Sequence, residues 1–235
     1  IVKSLRNFSR LDEAQAKEVD IHEGIESTLV ILQNRLKANA ERPDIQIIKE
    51  YGNLPLVDCY PSQLNQVFMN ILSNAIDSLE SRFANDALEE SFLNCDLSTP
   101  KNNQNNLTIR ICTENISSDR ISIRIADNGI GITEKVRQQI FNPFFTTKPV
   151  GKGTGLGLSI SYQIVTETHH GQLLCHSEPG QGTEFIVEIP IHQQISETIK
   201  KPYYMQVTET IENPYYIQSE IKNTLKSKLS YVDFP

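Results

Sequence analysis

Residues 61–81 carry two rows of side chains that a helix would place on opposite faces. One row is apolar, and the other is polar and contains Asn70, Asn74 and Asp77. Such a polar face can simply be solvated, although solvated helices usually carry Lys, Glu and Arg, and Asn is a poorer helix former. Carboxamide and carboxylate oxygens also suit a hard cation such as Mg²⁺. On this pattern alone, a solvated face and a cation site both stay open.

A second group of candidates is the run Asp127, Asn128 and Gly129, with Gly131 two residues further on, directly after a predicted strand. Asp-Asn-Gly is also ordinary turn chemistry, so a tight turn explains it equally well. The functional interpretation is that glycines let a flat ring approach the backbone. Asp127 would then accept a hydrogen bond from an exocyclic amine on that ring.

An aromatic segment at 141–148 runs into a Gly-rich segment at 151–159, just before another predicted helix. Backbone N–H groups at a helix N-terminus, with glycines that permit close approach, form a cradle for anions. The pattern does not match the G-x-G-x-x-G dinucleotide fingerprint, and it lacks the ending of a P-loop. The density of glycine favours a mobile flap, which Phe144 and Phe145 could anchor.

In this order and spacing, the three groups resemble the motifs of the histidine-kinase ATPase family, part of a superfamily shared with DNA gyrase and mismatch-repair ATPases. The resemblance covers about residues 19–192. The matching segments are the N box at 70–77, the G1 box at 127–132, the F box at 141–148, the G2 box at 153–159 and a closing strand motif at 180–185.

The resemblance implies a site for ATP and Mg²⁺. Asn74 would ligate the metal, Asp127 would bind the adenine amino group, and residues 142–157 would form a lid over the nucleotide. Asn70 and Lys148 would act in catalysis, with Asn70 beside the triphosphate and Lys148 or Lys152 near the phosphates. The ATP-binding residues implied are Asn70, Asn74, Asp77, Asp127, Gly129, Gly131, Ile132, Lys148, Lys152, Gly153, Thr154, Gly155, Leu156, Gly157, Leu158 and Thr183.

One position departs from the commonest pattern of the family. Many members carry Lys three residues after the metal-binding Asn, whereas this chain has Asp77. A phosphate contact from that position is therefore in doubt. With the double Phe and the Thr-Thr-Lys of the F box, the chain resembles the subgroup related to nitrogen-regulation kinases.

Asn70 bears on whether the phosphoryl group would go to water or to a protein. The ATP-hydrolysing members of the superfamily carry Glu at this position, and a carboxylate can accept a proton from the attacking water. Because a carboxamide cannot act as that base, the sequence favours a kinase that positions the γ-phosphoryl for an outside nucleophile. The alternatives are a superfamily ATPase, a non-catalytic nucleotide-binding module and a serine kinase of the anti-sigma type.

The resemblance also implies partners. They are an upstream dimerisation domain that carries the phosphoacceptor His, a homodimer in the full-length protein, and a response regulator. His22 precedes a Glu, but it lies at the start of a predicted helix, so a solvated helix-start residue is expected instead of an acceptor. His169 and His170 precede Gly171 and are expected to cap a helix. We therefore expect the acceptor His to lie outside this chain.

The elements that must position these motifs alternate irregularly along the chain. Helices are predicted at 21–36 (with Asp20 as N-cap), 61–81, 133–140 and 158–169, and strands at 45–51, 56–59, 107–114, 121–127, 173–177 and 183–191. This order predicts an α/β (α+β) two-layer sandwich, in which a mixed, mostly antiparallel sheet carries helices on one face. The resemblance implies the Bergerat-type ATP-binding fold.

The predicted organisation has three parts. Residues 1–18 are expected to be the end of a dimerisation helix and a linker, 19–194 the ATPase domain with a polar insertion at 82–106, and 195–235 a Tyr-rich tail. The net charge of -7 argues against non-specific nucleic-acid binding. No apolar stretch approaches the ~20 residues of a membrane span. The expected location is cytoplasmic, either for a whole cytoplasmic protein or for the cytoplasmic portion of a membrane sensor.

Overall fold

The computed structural model describes residues 15–40, 42–92, 106–149, 151 and 153–192, with backbone alone at 88–92. The expectations for residues 1–14, for the insertion residues 93–105, for Lys152 and for the tail at 195–235 lie outside the described residues. None of the helices in the described part of the chain is long and apolar enough to cross a membrane.

Five strands form the main sheet. They are β2 (Gln46–Tyr51), β4 (Thr108–Asn115), β5 (Arg120–Asp127), β6 (Gln172–Glu178) and β7 (Gly182–Pro190), in the spatial order β2-β4-β5-β7-β6. Strands β2 and β4 run parallel, and the other neighbouring pairs are antiparallel. The predicted mixed, mostly antiparallel sheet is confirmed.

A second, two-stranded sheet joins β1 (Lys17–Val19) to β3 (Val57–Cys59) in an antiparallel pair. Strand β3 was expected from the sequence. Strand β1 was not, because three residues are too few to show the two-residue alternation that reveals a strand.

Two long helices cover the apolar face of the main sheet. They are α1 (Ile21–Leu36) and α2 (Pro61–Phe92), and their buried side chains share one core with the strands. Asp20 caps α1 as predicted, since its Oδ1 accepts the backbone N–H of His22 at 2.8 Å. On the other face of the sheet, Arg124 and Glu184 form an ion pair at 2.8 Å. The two-layer arrangement follows from this division of apolar and charged side chains.

Helix α2 extends eleven residues beyond its predicted end at Ser81, so the prediction of an inserted surface loop is wrong for residues 82–92. This stretch contains no Gly or Pro, and Ala84, Ala87 and Leu88 are strong helix formers. The asparagines that suggested a loop lie mostly beyond residue 93. Asn85 alone does not end a helix that is already propagating.

The remaining helices are shorter. Helix α3 (Glu134–Arg137) is capped by Thr133, and α4 (Gly157–Gln163) continues into a π-helical turn, Ile164–Thr168. The sequence predicted one regular helix over 158–169 and gave no sign of the π-helical turn.

The buried side chain of His169 closes this turn. Its backbone N–H donates to the carbonyl of Ile164 at 3.1 Å, and its Nδ1 lies 2.8 Å from the same oxygen. The N–H of Tyr60 donates to Nε2 at 3.1 Å, so Nδ1 carries the proton of a neutral ring. Burial lowers the pKa of His169 to about 4. The predicted capping role of His169 is confirmed.

Candidate functional site

The polar row of α2 is half-buried beneath the segment that was predicted to be a lid. The Nδ2 of Asn70 donates to the carbonyl of Gly157 at 2.9 Å and to Oγ of Ser161 at 3.0 Å. Asn70 therefore ties α2 to the start of α4. A freely solvated face, one of the two interpretations of this row, is excluded.

One turn after Asn70 on α2, the side chains of Asn74 and Asp77 both contact the ammonium group of Lys148. The ammonium of Lys148 donates to Oδ1 of Asn74 at 3.1 Å, and it also forms an ion pair with Oδ2 of Asp77. Oδ1 of Asp77 accepts a second ion pair, from Arg35 of α1 at 2.6 Å. The structure thus brings Lys148 to Asn74 and Asp77, two predicted site residues that lie 74 and 71 positions before it in the chain.

Asp127 ends β5 with its carboxylate turned toward α2. Its Oδ1 accepts the hydroxyl of Ser78 at 3.1 Å and the N–H of Gly129 at 2.8 Å, and the backbone of Thr183 supplies another hydrogen bond. Burial raises the pKa of Asp127 to about 6, and the hydrogen bonds from these three donors act in the opposite direction. The side chain is a fixed, buried acceptor that ionises close to neutral pH.

Gly129 is required by packing inside the protein. A Cβ at this position would lie 2.0 Å from Oγ of Ser78 and 2.7 Å from Oδ1 of Asp127. The turn after β5 therefore presses directly against α2. The proposed approach of a flat ring to this backbone stays a prediction, but the glycine has a structural reason of its own.

The two phenylalanines of the F box behave differently. Phe145 packs against the core, whereas Phe144 has a φ of 66° and is 74% exposed. The expectation that Phe144 anchors the segment is wrong. Its backbone instead meets Gly155, where a Cβ would lie 2.4 Å from the carbonyl carbon of Phe144. Gly155 has a φ of 67°, a conformation that favours glycine.

Helix α4 begins without a side-chain cap, since Leu156 at the N-cap position provides no such hydrogen bond. The side chain at the N-cap position therefore does not occupy the first N–H groups of α4, which an anion cradle would use. Of the neighbouring predicted residues, Leu158 packs against the core, and a Cβ at Gly153 would lie 3.2 Å from Cβ of Lys148.

Gly131, Ile132 and Thr183 lie on the side of the G1 turn that faces β6. The N–H of Ile132 donates to Oγ of Ser177 at 2.9 Å, and Oγ1 of Thr183 lies 2.9 Å from the same oxygen. A Cβ at Gly131 would lie 2.0 Å from the carbonyl oxygen of Glu178. These residues brace the turn beside Asp127.

Sequence reasoning missed Ser78, Ser177 and Arg35. Ser78 could have been found, because it continues the four-residue spacing of Asn70 and Asn74. Arg35 lies on a different helix, 42 residues from Asp77, and no local pattern connects the two. Ser177 gave no signal beyond its place in a strand.

His22 differs from its expected environment. Its side chain is 20% exposed, and its ring stacks on Tyr51 with centroids 4.4 Å apart. Its Nε2 also lies 2.9 Å from Oγ1 of Thr113. The expectation of a solvated residue is wrong. His22 packs α1 against the sheet: its ring stacks on Tyr51, and its two nitrogens lie beside Thr113 and Asp20.

Comparison with known proteins places this arrangement in a family. A family model described as "Histidine kinase-, DNA gyrase B-, and HSP90-like ATPase" matches residues 59–193. The chain belongs to this ATPase family. The predicted family and fold are confirmed, and membership of the family assigns ATP as the nucleotide.

Two relatives of this ATPase-family chain are named as kinases, and one of them as a histidine-protein kinase. Signal transduction histidine-protein kinase AtoS of Escherichia coli (strain K12) is 32% identical over 200 residues, which cover 85% of this chain and 28% of AtoS. Sporulation kinase E of Bacillus subtilis (strain 168) is 34% identical over 163 residues, which cover 69% of this chain and 18% of that protein. The chain spans less than a third of the length of either relative.

Solved structures in this ATPase family show the same fold. The nucleotide-free catalytic domain of histidine kinase ThkA is 25% identical, with a TM-score of 0.55 over 76% of this chain and 99% of that one. A structure of ThkA in complex with response regulator protein TrrA is 23% identical, with a TM-score of 0.55 over 81% of this chain and 46% of that one. The described domain shares its fold with the catalytic domain of ThkA.

Proposed function

We propose that this chain is the ATP-binding catalytic part of a two-component sensor histidine kinase and transfers the γ-phosphoryl group of Mg²⁺–ATP to a histidine. The observation that carries the proposal is the row of α2. Asn70, Asn74 and Ser78 occupy successive turns, and they contact in order the start of α4, the lid lysine and Asp127. One helix face thus connects an uncapped helix N-terminus, a cation position and a buried acceptor.

At one end of this row, Asp127 would accept a hydrogen bond from the adenine amino group. Its carboxylate is already oriented by Ser78 and by the N–H of Gly129, so little reorganisation is needed on binding. An amino donor favours the ionised carboxylate. ATP binding should therefore lower the pKa of Asp127 from its raised value of about 6.

In the middle of the row, at Asn74, the donor set fits a divalent cation. Oδ1 of Asn74 and the carboxylate of Asp77 are hard oxygen donors, and both already contact one positive charge, the Lys148 ammonium. Asn74 is the residue that would hold Mg²⁺. The metal would neutralise charge that builds up on the phosphates during transfer.

Asn70 supports transfer over hydrolysis. Its carboxamide cannot take a proton from water, and its Nδ2 is committed to the carbonyl of Gly157 and to Ser161. Asn70 therefore positions the helix that would lie beneath the triphosphate. The γ-phosphoryl group would be held for an outside nucleophile, since phosphoryl transfer depends mainly on positioning and electrostatics.

The receiving histidine would come from an upstream dimerisation domain, within a homodimer, and a response regulator would then take the phosphoryl group. His22 is a poor acceptor, because stacking on Tyr51 and the contact with Thr113 hold its ring in place. The proposal agrees with the name of AtoS as a histidine-protein kinase, with the name of sporulation kinase E as a kinase, and with the response regulator that accompanies ThkA.

Incubation with γ-labelled Mg²⁺–ATP tests this function. The chain alone should bind the nucleotide, release phosphate only slowly and acquire no label. A version extended upstream through the dimerisation helices should acquire acid-labile, base-stable label on a histidine. Steady phosphate release by the chain alone would favour the ATPase alternative, and label on His22 or an unlabelled extended protein would contradict the proposal.

A further inference from the structure

We propose that Asp77 is the positioning residue for the lid lysine: it holds the Lys148 ammonium on the face of α2 until Mg²⁺–ATP takes that position. The inference rests on the proposed function, because it concerns the same nucleotide site. It also gives a role to the acidic residue at the position where the family resemblance left a phosphate contact in doubt.

The contacts form a chain of charges from α1 to the lid. Arg35 of α1 binds Oδ1 of Asp77 at 2.6 Å, and the ammonium of Lys148 pairs with Oδ2 of the same carboxylate. The side chains of Asp77 and Lys148 are 33% and 35% exposed, so both are partly shielded from water. Each oxygen of Asp77 therefore contacts a different cation, and Arg35 also pairs with Glu80 at 3.0 Å.

The same ammonium also donates to Oδ1 of Asn74 at 3.1 Å. That oxygen is the donor proposed for Mg²⁺, and the ammonium and the metal cannot occupy one position together. Entry of Mg²⁺–ATP must therefore displace Lys148 from Asn74. The phosphate oxygens provide new acceptors for the displaced ammonium, and Arg35 remains to neutralise Asp77.

The positive charge beside Asn74 is carried by the lid segment and not by α2. A lysine at position 77 would fix a cation on α2 itself. Here the cation belongs to the lid, so it lies over the site only while the lid is folded against α2. Asp77 sets that resting position before the nucleotide arrives, and the phosphates replace Asp77 as the partner of Lys148 afterwards.

The reactivity of Lys148 toward an amine-acylating reagent measures this contact directly. The full chain is labelled briefly without nucleotide, and modification at each lysine is counted by peptide mass spectrometry. Asp77→Asn should raise labelling of Lys148 about two- to fivefold, the range expected for loss of a partly exposed ion pair. Asp77→Glu should restore the protection, which a merely structural defect would not allow.

Lys49 provides a matched control. It pairs with Glu26 at 2.7 Å, and the two side chains are 39% and 43% exposed, close to the values of the Lys148 pair. Glu26→Gln should raise labelling of Lys49 and leave Lys148 unchanged. Asp77→Asn should do the reverse. Equal labelling of Lys148 in the wild type and in Asp77→Asn would overturn the inference.

Saturating Mg²⁺–ATP should protect Lys148 equally in the wild type and in Asp77→Asn, because the phosphates then hold the ammonium. Continued dependence on Asp77 under saturating nucleotide would overturn the exchange of partners. Failure of the proposed function gives a different result. A chain that does not bind Mg²⁺–ATP would show no effect of nucleotide, yet labelling of Lys148 would still depend on Asp77.

Discussion

The hydroxyl of Ser78 donates a hydrogen bond to Oδ1 of Asp127 over 3.1 Å, and this contact joins the middle of α2 to the end of β5. The same oxygen accepts the N–H of Gly129, so the carboxylate cannot rotate without losing both donors. The acceptor proposed for adenine is therefore oriented by the helix that also carries Asn74.

Ser78→Ala should weaken nucleotide binding although Ser78 itself is not proposed to touch the nucleotide. Loss of one hydrogen bond to the carboxylate should cost roughly 1 kcal/mol, or about fivefold in affinity, because Asp127 becomes less well oriented and harder to ionise. Titration calorimetry at pH 7 measures the change. Ser81→Ala is the control, since that exposed hydroxyl bonds only a carbonyl of its own helix. Equal affinities in the two variants would exclude the orienting role.

The affinity for Mg²⁺–ATP should fall as the pH drops through about 6. Below this value Asp127 is protonated in the free protein, and the amino group of adenine needs the ionised carboxylate. Binding must then release a proton, which costs up to about tenfold in affinity per pH unit. Asp127→Asn should bind more weakly at pH 7.

The comparison between the two proteins isolates Asp127, because titration of the nucleotide itself is common to both. Calorimetry from pH 7.5 to 5 should show the additional loss of affinity only in the wild type. Parallel pH profiles for the wild type and Asp127→Asn would show that this carboxylate does not contact the base.

Asn74→Ala should abolish the dependence of nucleotide binding on Mg²⁺. The substitution removes the oxygen that contacts the Lys148 ammonium and that we assign to the metal. Affinity for ATP in the presence of a chelator should change much less than affinity for Mg²⁺–ATP. Calorimetry with and without the metal separates the two, and a Mg²⁺ effect of wild-type size in the variant would refute the metal assignment.

The stabilising contribution of His169 to the fold should decrease in mild acid. Its folded pKa of about 4 lies below the ordinary value of 6.5, so the unfolded chain binds a proton in that window and the folded chain does not. The contribution of the neutral ring is full above pH 6.5. It is lost by up to about 1.4 kcal/mol per pH unit as the pH falls toward 4.

Urea unfolding of the wild type and His169→Asn at pH 7.5, 6 and 5 measures this contribution. The variant should be less stable at pH 7.5, and the difference in the free energy of unfolding should shrink as the pH falls. The opposite effect of Asp127, whose pKa is raised, is present in both proteins and cancels. His176→Asn is the control, because that side chain is 63% exposed. A difference that does not vary with pH would contradict the neutral, buried ring.

Local patterns predicted most of the elements that carry the site. The alternation of Ile121, Ile123 and Ile125 identified β5, and all three side chains are buried. The spacing of the apolar row identified α2 through Ser81. The same reasoning ended α2 too early, because clustered asparagines further along outweighed the helix formers at 82–92.

The amino-acid sequence by itself determined the types of the candidate residues and the faces on which they lie. Strand and helix periods are set by backbone geometry over a few residues, so Asn70, Asn74 and Asp77 could be placed on one face without a structure. The order of the boxes along the chain was sufficient to identify the family.

Only the tertiary structure decided which of these side chains meet. The ion pair between Asp77 and Lys148 joins residues 71 positions apart, and Arg35 reaches the same carboxylate from another helix. Such contacts depend on the order of the strands and on the packing of α1 against α2, and neither leaves a periodic trace in the sequence. The position of the Lys148 ammonium beside Asn74 and Asp77 therefore became visible only in the folded chain.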